Sequence, residues 1–391
     1  MKTETHHLAE YVSPGHPDRL ADAIAEALVD YAVAQDPLAL VGVEVAVHTN
    51  QVFIDGRVAW RSKDGPPHPP VADLVRDVYR QAGYGGGWKP EPESLVVTDD
   101  LCREALCEDE ARLRRFSDDQ NIVCGFATPD VKSNQLPLAH FVANQIGRRL
   151  CQWREGGIVE IGGKRGSAQT SLGPDFKLLP HLVRCADRSG GVRWRWQRLT
   201  LSIQHVPGLY DEDQHRILLP LLKEICETLA KETGLVGLED LKTVDVFLNG
   251  AGDFQVGGPH GDNGLSGKKL VVDHYGPEVP IGGGALCGKD PHKIDRVGPL
   301  RARQLARQLA RAHDANALVR LAWAPGDWHP YFVEVWLDRD GHRTQLADSH
   351  LPPLDWFSIE TIFADLRLEQ IKWREAIEAG YFVNPAHSWE Q

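Results

Sequence analysis

The feature that most constrains this chain is a repeated order in which extended segments with short turns are followed by a helix. Residues 40–60, LVGVEVAVHTNQVFIDGRVAW, alternate apolar and polar side chains, and Thr49, Asn50 and Gln51 lie where a hairpin should turn. The other extended segments that we predict are a strand at residues 192–206 and strand pairs at residues 243–258 and 318–338. Strand pairs on short turns favour antiparallel sheets with helices over one face, so we expect an α+β fold.

Helical periodicity is clearest in residues 17–35, where apolar residues recur on one face. The other predicted helices are residues 71–83, 219–234 and 298–313. In the last of these, Arg303, Arg307 and Arg311 fall on one side. This pattern predicts a solvated helix face, with the leucines and alanines turned inward.

Charge and composition exclude several classes of protein. With 43 basic and 55 acidic side chains the net charge is -12, which argues against a general nucleic-acid or membrane surface. A polyanionic ligand must therefore meet a local cluster of cations. The seven cysteines are odd in number and scattered, which disfavours a disulfide framework or a structural zinc site. No segment has the apolar length of a signal peptide core or a membrane helix, so we expect a cytoplasmic protein.

Residues 282–295, GGGALCGKDPHKID, contain the G-x-x-x-x-G-K spacing of a phosphate-binding loop. Such a loop follows a buried strand, opens a helix and carries Ser or Thr after its lysine. Here Asp290 follows Lys289, the preceding segment has two prolines, and Asp290-Pro291 favours an extended or turn backbone. We interpret the match as coincidental. An anion site remains plausible, because glycines let backbone amides approach an anion and lysines supply charge.

Three further polar segments allow a functional and an ordinary interpretation. In SPGHPDR, residues 13–19, a helix start could bind an anion or Mg²⁺, although capping is the simpler explanation. Residues 258–276 are a glycine-rich loop, or a solvated turn, before a predicted strand. Lys268 and Lys269 can face one ligand only if they lie in that loop, because adjacent strand side chains point to opposite faces. Residues 172–180, LGPDFKLLP, predict a turn.

Together these segments resemble one family, the S-adenosylmethionine synthetases. The family's S-E-G-H-P-D-K is similar to residues 13–19, its G-G-P-x-G-D-x-G-L-T-G-R-K to residues 257–269, and its G-G-G-A-F-S-G-K-D-x-x-K-V-D-R to residues 282–296. Weaker matches keep the same order at residues 117–128, 173–177 and 201–205. The resemblance therefore covers nearly the whole chain.

The resemblance implies three similar α/β units with mostly antiparallel sheets. We assign them to residues 1–112, 113–253 and 254–391, with the units interwoven. It also implies an active site between two subunits, in a homodimer or a dimer of dimers, with no nucleic-acid or membrane partner.

The activity implied is that of an adenosyltransferase. The sulfur of methionine, or of a related nucleophile, would attack C5′ of ATP to give S-adenosylmethionine or an analogue. The leaving triphosphate would then be cleaved to pyrophosphate and phosphate. Such a reaction depends on positioning and on cations that stabilise the leaving charge. The alternatives are a hydrolase of ATP or triphosphate with the same fold, or a non-catalytic paralogue that regulates a true synthetase.

The resemblance also implies roles for individual residues. The catalytic ones would be His16, Lys177, Lys289 and Lys293. Those binding ATP or the second substrate would be Arg57, Asp119, Asp175, Phe254, Asp262, Lys268, Lys269 and Ala285. The metal ligands would be Asp18 and Asp295 for Mg²⁺ and Glu44 for K⁺.

The sequence departs from the family mainly on the amino-acid side. Arg57 stands where the family has a glutamate that binds the methionine ammonium, and in a desolvated site it would repel that ammonium. Asp253 and Lys268 each replace an arginine, and lysine lacks the bidentate fork. The family's mobile loop becomes residues 102–115, CREALCEDEARLRR, which are more charged and more helix-like. Arg57 thus suits a nucleophile with an extra carboxylate or phosphate, or without a free ammonium.

Overall fold

The structure is a computed structural model that describes residues 4–61, 69–161, 164–186 and 191–391. In these ranges the strands are β1 (Thr5–Leu8), β2 (Tyr11–Val12), β3 (Leu40–His48), β4 (Gln51–Ala59), β5 (Val96–Cys102), β6 (Asn121–Ala127), β7 (Ile158–Ile161), β8 (Lys164–Ser167), β9 (Leu172–Ala186), β10 (Val192–His205), β11 (Val246–Leu248), β12 (Gly264–Leu265), β13 (Asn316–Trp323), β14 (Phe332–Arg339) and β15 (His342–Gln345). The α-helices are α1 (Pro17–Gln35), α2 (Val71–Ala82), α3 (Glu108–Leu113), α4 (Leu138–Gly156), α5 (Ala168–Ser171), α6 (Asp211–Thr233), α7 (Leu270–Asp273), α8 (Ile294–His313), α9 (Ile359–Asp365) and α10 (Trp373–Ala379).

Three sheets of four or five strands form the framework. Their orders are β1–β9–β10–β11 with β2 beside β9, β12–β3–β4–β5, and β15–β14–β13–β6. The pairs β4–β5 and β10–β11 are parallel, and the other pairs in these sheets are antiparallel. Helix α1 packs on β3, α4 on β9, and α8 on β6 and β13. The predicted α+β class with mostly antiparallel sheets is confirmed.

Each of these sheets combines strands from distant parts of the chain. The N-terminal strands β1 and β2 pair with β9, β6 pairs with β13, and β12 pairs with β3. Each sheet therefore pairs strands from two of the residue ranges that we assigned to separate units. This pairing brings loops that are far apart in sequence to the edges of the same sheet.

The hairpin of β3 and β4 turns where the sequence predicted, at Thr49. Its register places Gly42 opposite Arg57 and Glu44 opposite Asp55. The intervening valines of β3 are buried in the core that includes α1. Because strand side chains alternate, Gly42, Glu44 and their cross-strand partners lie on the outer face of this sheet.

The predicted helices are all present. Helix α1 spans residues 17–35 as predicted, and α2 differs from its predicted range by one residue. Helices α6 and α8 begin eight and four residues earlier than predicted, at Asp211 and Ile294. No helix in the described part of the chain combines the length and the apolar character that crossing a membrane requires.

Three local predictions are wrong. Residues 243–258 contain only β11, because this strand pairs with β10 rather than with its own neighbour. Residues 172–180 are not a turn but begin the fifteen-residue strand β9, whose pairing with β10 and β2 outweighs the local preference of its prolines and glycine. The residues after Lys269 form the short helix α7, not a strand.

The predicted solvated arginine face of α8 is wrong for Arg303 and Arg307, whereas Arg311 is exposed as predicted. Arg303 is fully buried and Arg307 is 5% exposed. Arg303 forms a bidentate pair with Glu390, with distances of 2.8 and 2.9 Å, and Arg307 donates to the same carboxylate at 2.8 Å. The C-terminal residues thus cover this side of α8, a contact that helical periodicity cannot reveal.

Strand β6 approaches α8 closely enough to exclude a side chain. A Cβ atom placed on Gly125 would lie 2.1 Å from the carbonyl carbon of Ala302, so only glycine allows this contact. The close packing holds Asn121, at the start of β6, beside Asp295 in the first turn of α8, and Asn121 Nδ2 donates to Asp295 Oδ1. The fold thereby positions one of the predicted metal ligands.

We expect Glu390→Gln to destabilise the protein strongly. The substitution would leave Arg303 and Arg307 buried without their carboxylate, which costs about 3 kcal/mol. Urea unfolding measures the change. The exposed Glu369 is the matched control, and Glu369→Gln should change stability by less than about 0.5 kcal/mol. Equal stabilities for the two variants would contradict this role of Glu390.

Candidate active site

The first cluster of predicted site residues surrounds the start of α1. His16 is the N-cap residue, and its Nδ1 accepts the backbone N–H of Asp18 at 3.2 Å. The pKa of His16 is lowered to about 3, first by burial and then by the positive charge of Lys177. The neutral ring therefore carries its proton on Nε2. A neutral N–H donor at a helix N-terminus is suited to bind an anionic oxygen.

Asp18 is the buried carboxylate of this cluster. Lys269 Nζ lies 2.7 Å from Oδ2, Lys268 Nζ lies 3.6 Å from Oδ1, and the Leu265 N–H donates to Oδ1 at 3.0 Å. Burial would raise the pKa of Asp18, but the hydrogen bonds from Lys269 and Leu265 outweigh it and the pKa is lowered. Both lysines lie in the turn between β12 and α7. They therefore face one carboxylate, as the loop interpretation requires.

Strand β9 and the glycine-rich loop complete the first cluster. Asp175 and Lys177 are two residues apart on β9 and so share one face. Asp175 accepts the Gly258 N–H at 2.7 Å, and its pKa is raised to about 6, mainly by burial. The half-buried Phe254 donates its N–H to His205 Nε2 at 3.0 Å. These contacts attach the loop to the sheet.

The second cluster lies at the start of α8. Lys289 Nζ is 2.5 Å from Asp295 Oδ2, and Lys293 Nζ is 2.5 Å from Asp118 Oδ2. The glycine tract passes directly beside this pair, since a Cβ atom on Gly284 would lie 2.4 Å from Asp295 Oδ1. The cluster therefore combines two cations, two carboxylates and a partly exposed stretch of glycine backbone.

Asp290 follows Lys289, where a phosphate-binding loop carries Ser or Thr. Its role in this structure is to anchor the loop. It is fully buried, pairs with the buried Arg114, and accepts the Val41 N–H at 2.8 Å and the His292 N–H at 2.9 Å. Burial would raise its pKa, but the charge of Arg114 and further positive neighbours lower it. Asp290 thus anchors the loop that carries Lys289 to β3 and to the segment after α3.

The surroundings of Lys289 also differ from those of a phosphate-binding loop. Residues 276–282 form no strand, and the helix begins at Ile294, five residues after the lysine. Lys289 instead forms an isolated antiparallel bridge with Gly42 of β3.

The two clusters are separate within one chain. Among the described residues, no hydrogen bond or ion pair joins the His16–Asp18 group to the Lys289–Asp295 group. Their attachment points on β3 are Val47, opposite Gly264, and Gly42, opposite Lys289. Five residues of strand place these points roughly 16 Å apart.

Other predicted binding residues lie around these clusters. Ala285 is half-buried and adjoins Gly267, where an added Cβ would approach its methyl group to 2.9 Å. Asp262 is exposed but close enough for its charge to raise the pKa of His16. Asp119 is exposed, and its side chain accepts only the Gln120 N–H among the described contacts.

The next observations concern the surroundings of the three predicted metal ligands. Glu44 Oε2 accepts the hydroxyl of Ser266 at 2.5 Å on the outer face of β3. Within the described ranges, no group of three His, Cys, Asp or Glu side chains is arranged to hold a metal ion. Asp18 and Asp295 belong to different clusters, so neither has a second predicted Mg²⁺ ligand beside it.

Arg57 is not the free cation that the sequence suggested. Its Nη1 and Nη2 atoms donate to Glu110 Oε1 and Oε2 at 2.5 and 3.0 Å, and Glu110 belongs to the helix α3. The segment 102–115 is thus partly helical, as predicted. The sequence analysis missed Glu110, Arg114 and Asn121, since nothing in their local pattern indicates their distant partners.

Comparison with known proteins gives one consistent family. Residues 4–97 match the model of the S-adenosylmethionine synthetase N-terminal domain, and residues 256–391 match that of the C-terminal domain. The S-adenosylmethionine synthase of Deinococcus deserti is 31% identical over 98% of this chain and 96% of its own length. That of Zymomonas mobilis is 31% identical over 100% and 97%. An unusual S-adenosylmethionine synthetase from Campylobacter jejuni has a similar structure, with a TM-score of 0.77 and 25% identity over 99% of this chain and 96% of that one.

We expect the Arg114–Asp290 pair to behave as a coupled structural unit. Arg114→Met or Asp290→Asn alone leaves a buried charge unpaired and should cost about 3 kcal/mol of unfolding free energy. The double variant removes both charges and should cost much less than the sum. Urea unfolding of the four proteins measures the coupling. Additive losses would show that the two residues act independently.

Proposed function

The chain belongs to the S-adenosylmethionine synthetase family, and we propose that it transfers the adenosyl group of ATP to the sulfur of methionine. The sulfur lone pair attacks C5′, the C5′–O bond breaks, and the triphosphate leaves with the bonding electrons. Water then cleaves the triphosphate to pyrophosphate and phosphate. The product is S-adenosylmethionine, a sulfonium cation.

The observation that carries this proposal is the convergence of cations on two carboxylates. Lys268 and Lys269 approach Asp18, and Lys289 pairs with Asp295. A triphosphate is a polyanion, and the charge that grows on its bridging oxygen needs fixed cations close by. On a protein with a net charge of -12, such local clusters are where a polyanion would bind.

Side chains and backbone groups of the protein would bind and orient the substrates. His16 offers a neutral Nε2–H donor, and the N-terminus of α1 offers a partial positive charge. We assign Lys177, Lys289 and Lys293 to the phosphates and the reacting centre. No general base is required for the transfer itself, because a thioether sulfur is nucleophilic without losing a proton. The rate then depends on positioning and electrostatics.

The two aspartates fit Mg²⁺ in a complex with phosphates. Mg²⁺ binds one or two carboxylates and completes its shell with phosphate oxygens and water. Asp18 and Asp295 pair with Lys269 and Lys289, so phosphate oxygens that recruit those lysines would free the carboxylate oxygens. The bound ion would supply further neutralisation of the triphosphate. Glu44, with Oε1 unpartnered among the described residues, is our proposed ligand for K⁺.

A second copy of the chain would complete the site. The two clusters are separate in one chain, and each alone supplies only part of the cations. Exposed apolar side chains also lie on strands of the main sheets, and a second copy would cover them: Phe53, Ile122, Leu179, Phe247 and Phe332. We therefore propose that the first cluster of one protomer faces the second cluster of its partner.

We expect Lys289→Ala to reduce kcat by at least about 100-fold, because it removes a charge next to the leaving group. The assay uses ATP, Mg²⁺ and methionine, and detects S-adenosylmethionine by mass spectrometry together with pyrophosphate and phosphate. Lys231→Ala, on the exposed surface of α6, is the matched control and should keep kcat within about twofold. Phosphate release without any adenosylated product would contradict the proposed function and favour a hydrolase.

Mixing two inactive variants tests whether the site is shared. Lys269→Ala disables the first cluster and Lys289→Ala the second. If each site combines both clusters from two protomers, a mixed dimer retains one intact site, and random mixing restores about a quarter of the wild-type activity. The variants are unfolded together and refolded, with each variant refolded alone as the control. No recovery in a mixture that forms dimers would mean that each site lies within one chain.

A further inference from the structure

Asp22 is a fully buried carboxylate of α1 that the predicted site does not include. Its Oδ1 atom accepts the backbone N–H of Gly267 at 2.8 Å and the thiol of Cys287 at 3.2 Å. Its Oδ2 atom accepts a hydrogen bond from Arg19 Nη1 at 3.1 Å. A buried carboxylate is costly unless donors surround it, so these three contacts explain how the fold tolerates the group.

Two of the three donors belong to loops that carry site lysines. Gly267 directly precedes the lysine pair that approaches Asp18, and Cys287 lies two residues before Lys289. Gly267 has a φ of 71°, in the left-handed region, so the first loop needs glycine where it meets the carboxylate. Asp22 therefore attaches both lysine-bearing loops to one position of α1.

The charged groups around Asp22 do not fully offset its charge. Arg19 also donates to Asp273 of α7, so one guanidinium serves two carboxylates. The pKa of Asp22 is raised to about 7, first by burial and then by the charge of Asp273. The pKa of the Cys287 thiol is raised well above its usual value, first by burial and then by the charge of Asp22, so the thiol keeps its proton and remains the donor. The other ionisable groups beside this cluster form a buried network with one another: Glu26, Arg296 and Tyr381.

The ionisation of Asp22 decides how firmly it holds the two loops. All three of its neighbours are donors, and an ionised carboxylate offers them only acceptor positions. Protonation removes the charge and turns one acceptor position into a donor. Hydrogen bonds to an ionised group are about twice as strong as those between neutral groups. The ionised form, which predominates above about pH 7, therefore holds the loops more firmly than the neutral form.

We propose that Asp22 is a positioning residue for adenosyl transfer, and that its ionised carboxylate fixes the two lysine-bearing loops relative to α1. The inference rests on the proposed function, because it concerns the lysines assigned to the phosphates. Asp22 itself contacts no substrate and acts through Gly267 and Cys287. In the proposed dimer, each protomer gives its first cluster to one site and its second cluster to the other. One Asp22 would thereby orient a loop in each of the two sites.

Asp22→Asn tests this role in the reaction itself. Asparagine keeps the size of the side chain, but its amide N–H groups would meet donors where the carboxylate accepts them. We expect kcat to fall about tenfold, as for a small displacement of the reacting groups, with the KM for ATP within about threefold. The wild-type kcat should rise with pH through an inflection near pH 7, and Asp22→Asn should lack this inflection. Initial rates of S-adenosylmethionine formation at saturating ATP, Mg²⁺ and methionine measure both effects.

Asp30→Asn is the matched control for the same chemical change on the same helix. Asp30 accepts the backbone N–H groups of Trp373 at 2.7 Å and Arg374 at 3.1 Å. These residues belong to α10 and not to a lysine-bearing loop. Asp30→Asn should therefore change stability but keep kcat within about twofold and retain the pH inflection.

Cys287 provides a second test that does not depend on the folding of Asp22→Asn. Cys287→Ala removes one donor to the carboxylate and should lower kcat about fivefold, whereas Cys287→Ser keeps a donor and should stay within about twofold of the wild type. Thermal unfolding of every variant, with and without Mg²⁺ and a non-hydrolysable ATP analogue, verifies folding and nucleotide binding.

Two outcomes would overturn the inference and leave the transfer reaction intact. One is an Asp22→Asn protein that keeps both the wild-type kcat and the pH inflection. The other is an equal kcat for the alanine and serine variants of Cys287. A wild-type protein that forms no S-adenosylmethionine would instead refute the proposed function, and this inference with it.

Discussion

The pairing of Lys268, Lys269, Lys289 and Lys293 with carboxylates is the interaction on which the rest of the candidate site depends. Several lysines gathered for a polyanion would repel one another if they were unpaired. Here Asp18 holds Lys269, and Asp295 holds Lys289. These pairs also connect elements that are distant in sequence, because one joins α1 to the glycine-rich loop. The ion pairs that balance the charges of the lysines therefore also connect distant elements of the fold.

Under the proposed function, this arrangement would let one set of residues serve both the free and the ligand-bound site. In the chain alone, the aspartates satisfy the lysines. A polyphosphate would offer competing oxygens, and the released aspartates are the oxygen ligands that Mg²⁺ prefers. In the proposed complex, this exchange would keep the local charge nearly balanced. Asp290 takes no part in it, since its carboxylate is buried with Arg114 and attaches the loop to β3.

For two residues, a partner that is distant in sequence decides a role that the local motif did not predict. Asp290 looked like a defect in a phosphate-binding loop, yet it is a buried anchor for a differently built loop. Arg57 looked like a free cation that would exclude an ammonium, yet Glu110 of α3 neutralises it. In each case the residue type was plain from the sequence. The partner that decides its effect was not, because it lies 176 or 53 residues away.

The sequence by itself determined the local elements and the identity of the charged residues. Helix α1, the β3–β4 hairpin and the lysine and aspartate motifs all follow from periodicity, turn residues and spacing within short segments. Only the tertiary structure decided that β9 extends through LGPDFKLLP, that Arg303 and Arg307 of α8 are buried against Glu390, and that the cations form two clusters. The physical reason is that backbone preferences act between near neighbours. Strand exchange and ion pairing act between segments that meet only when the three sheets are assembled.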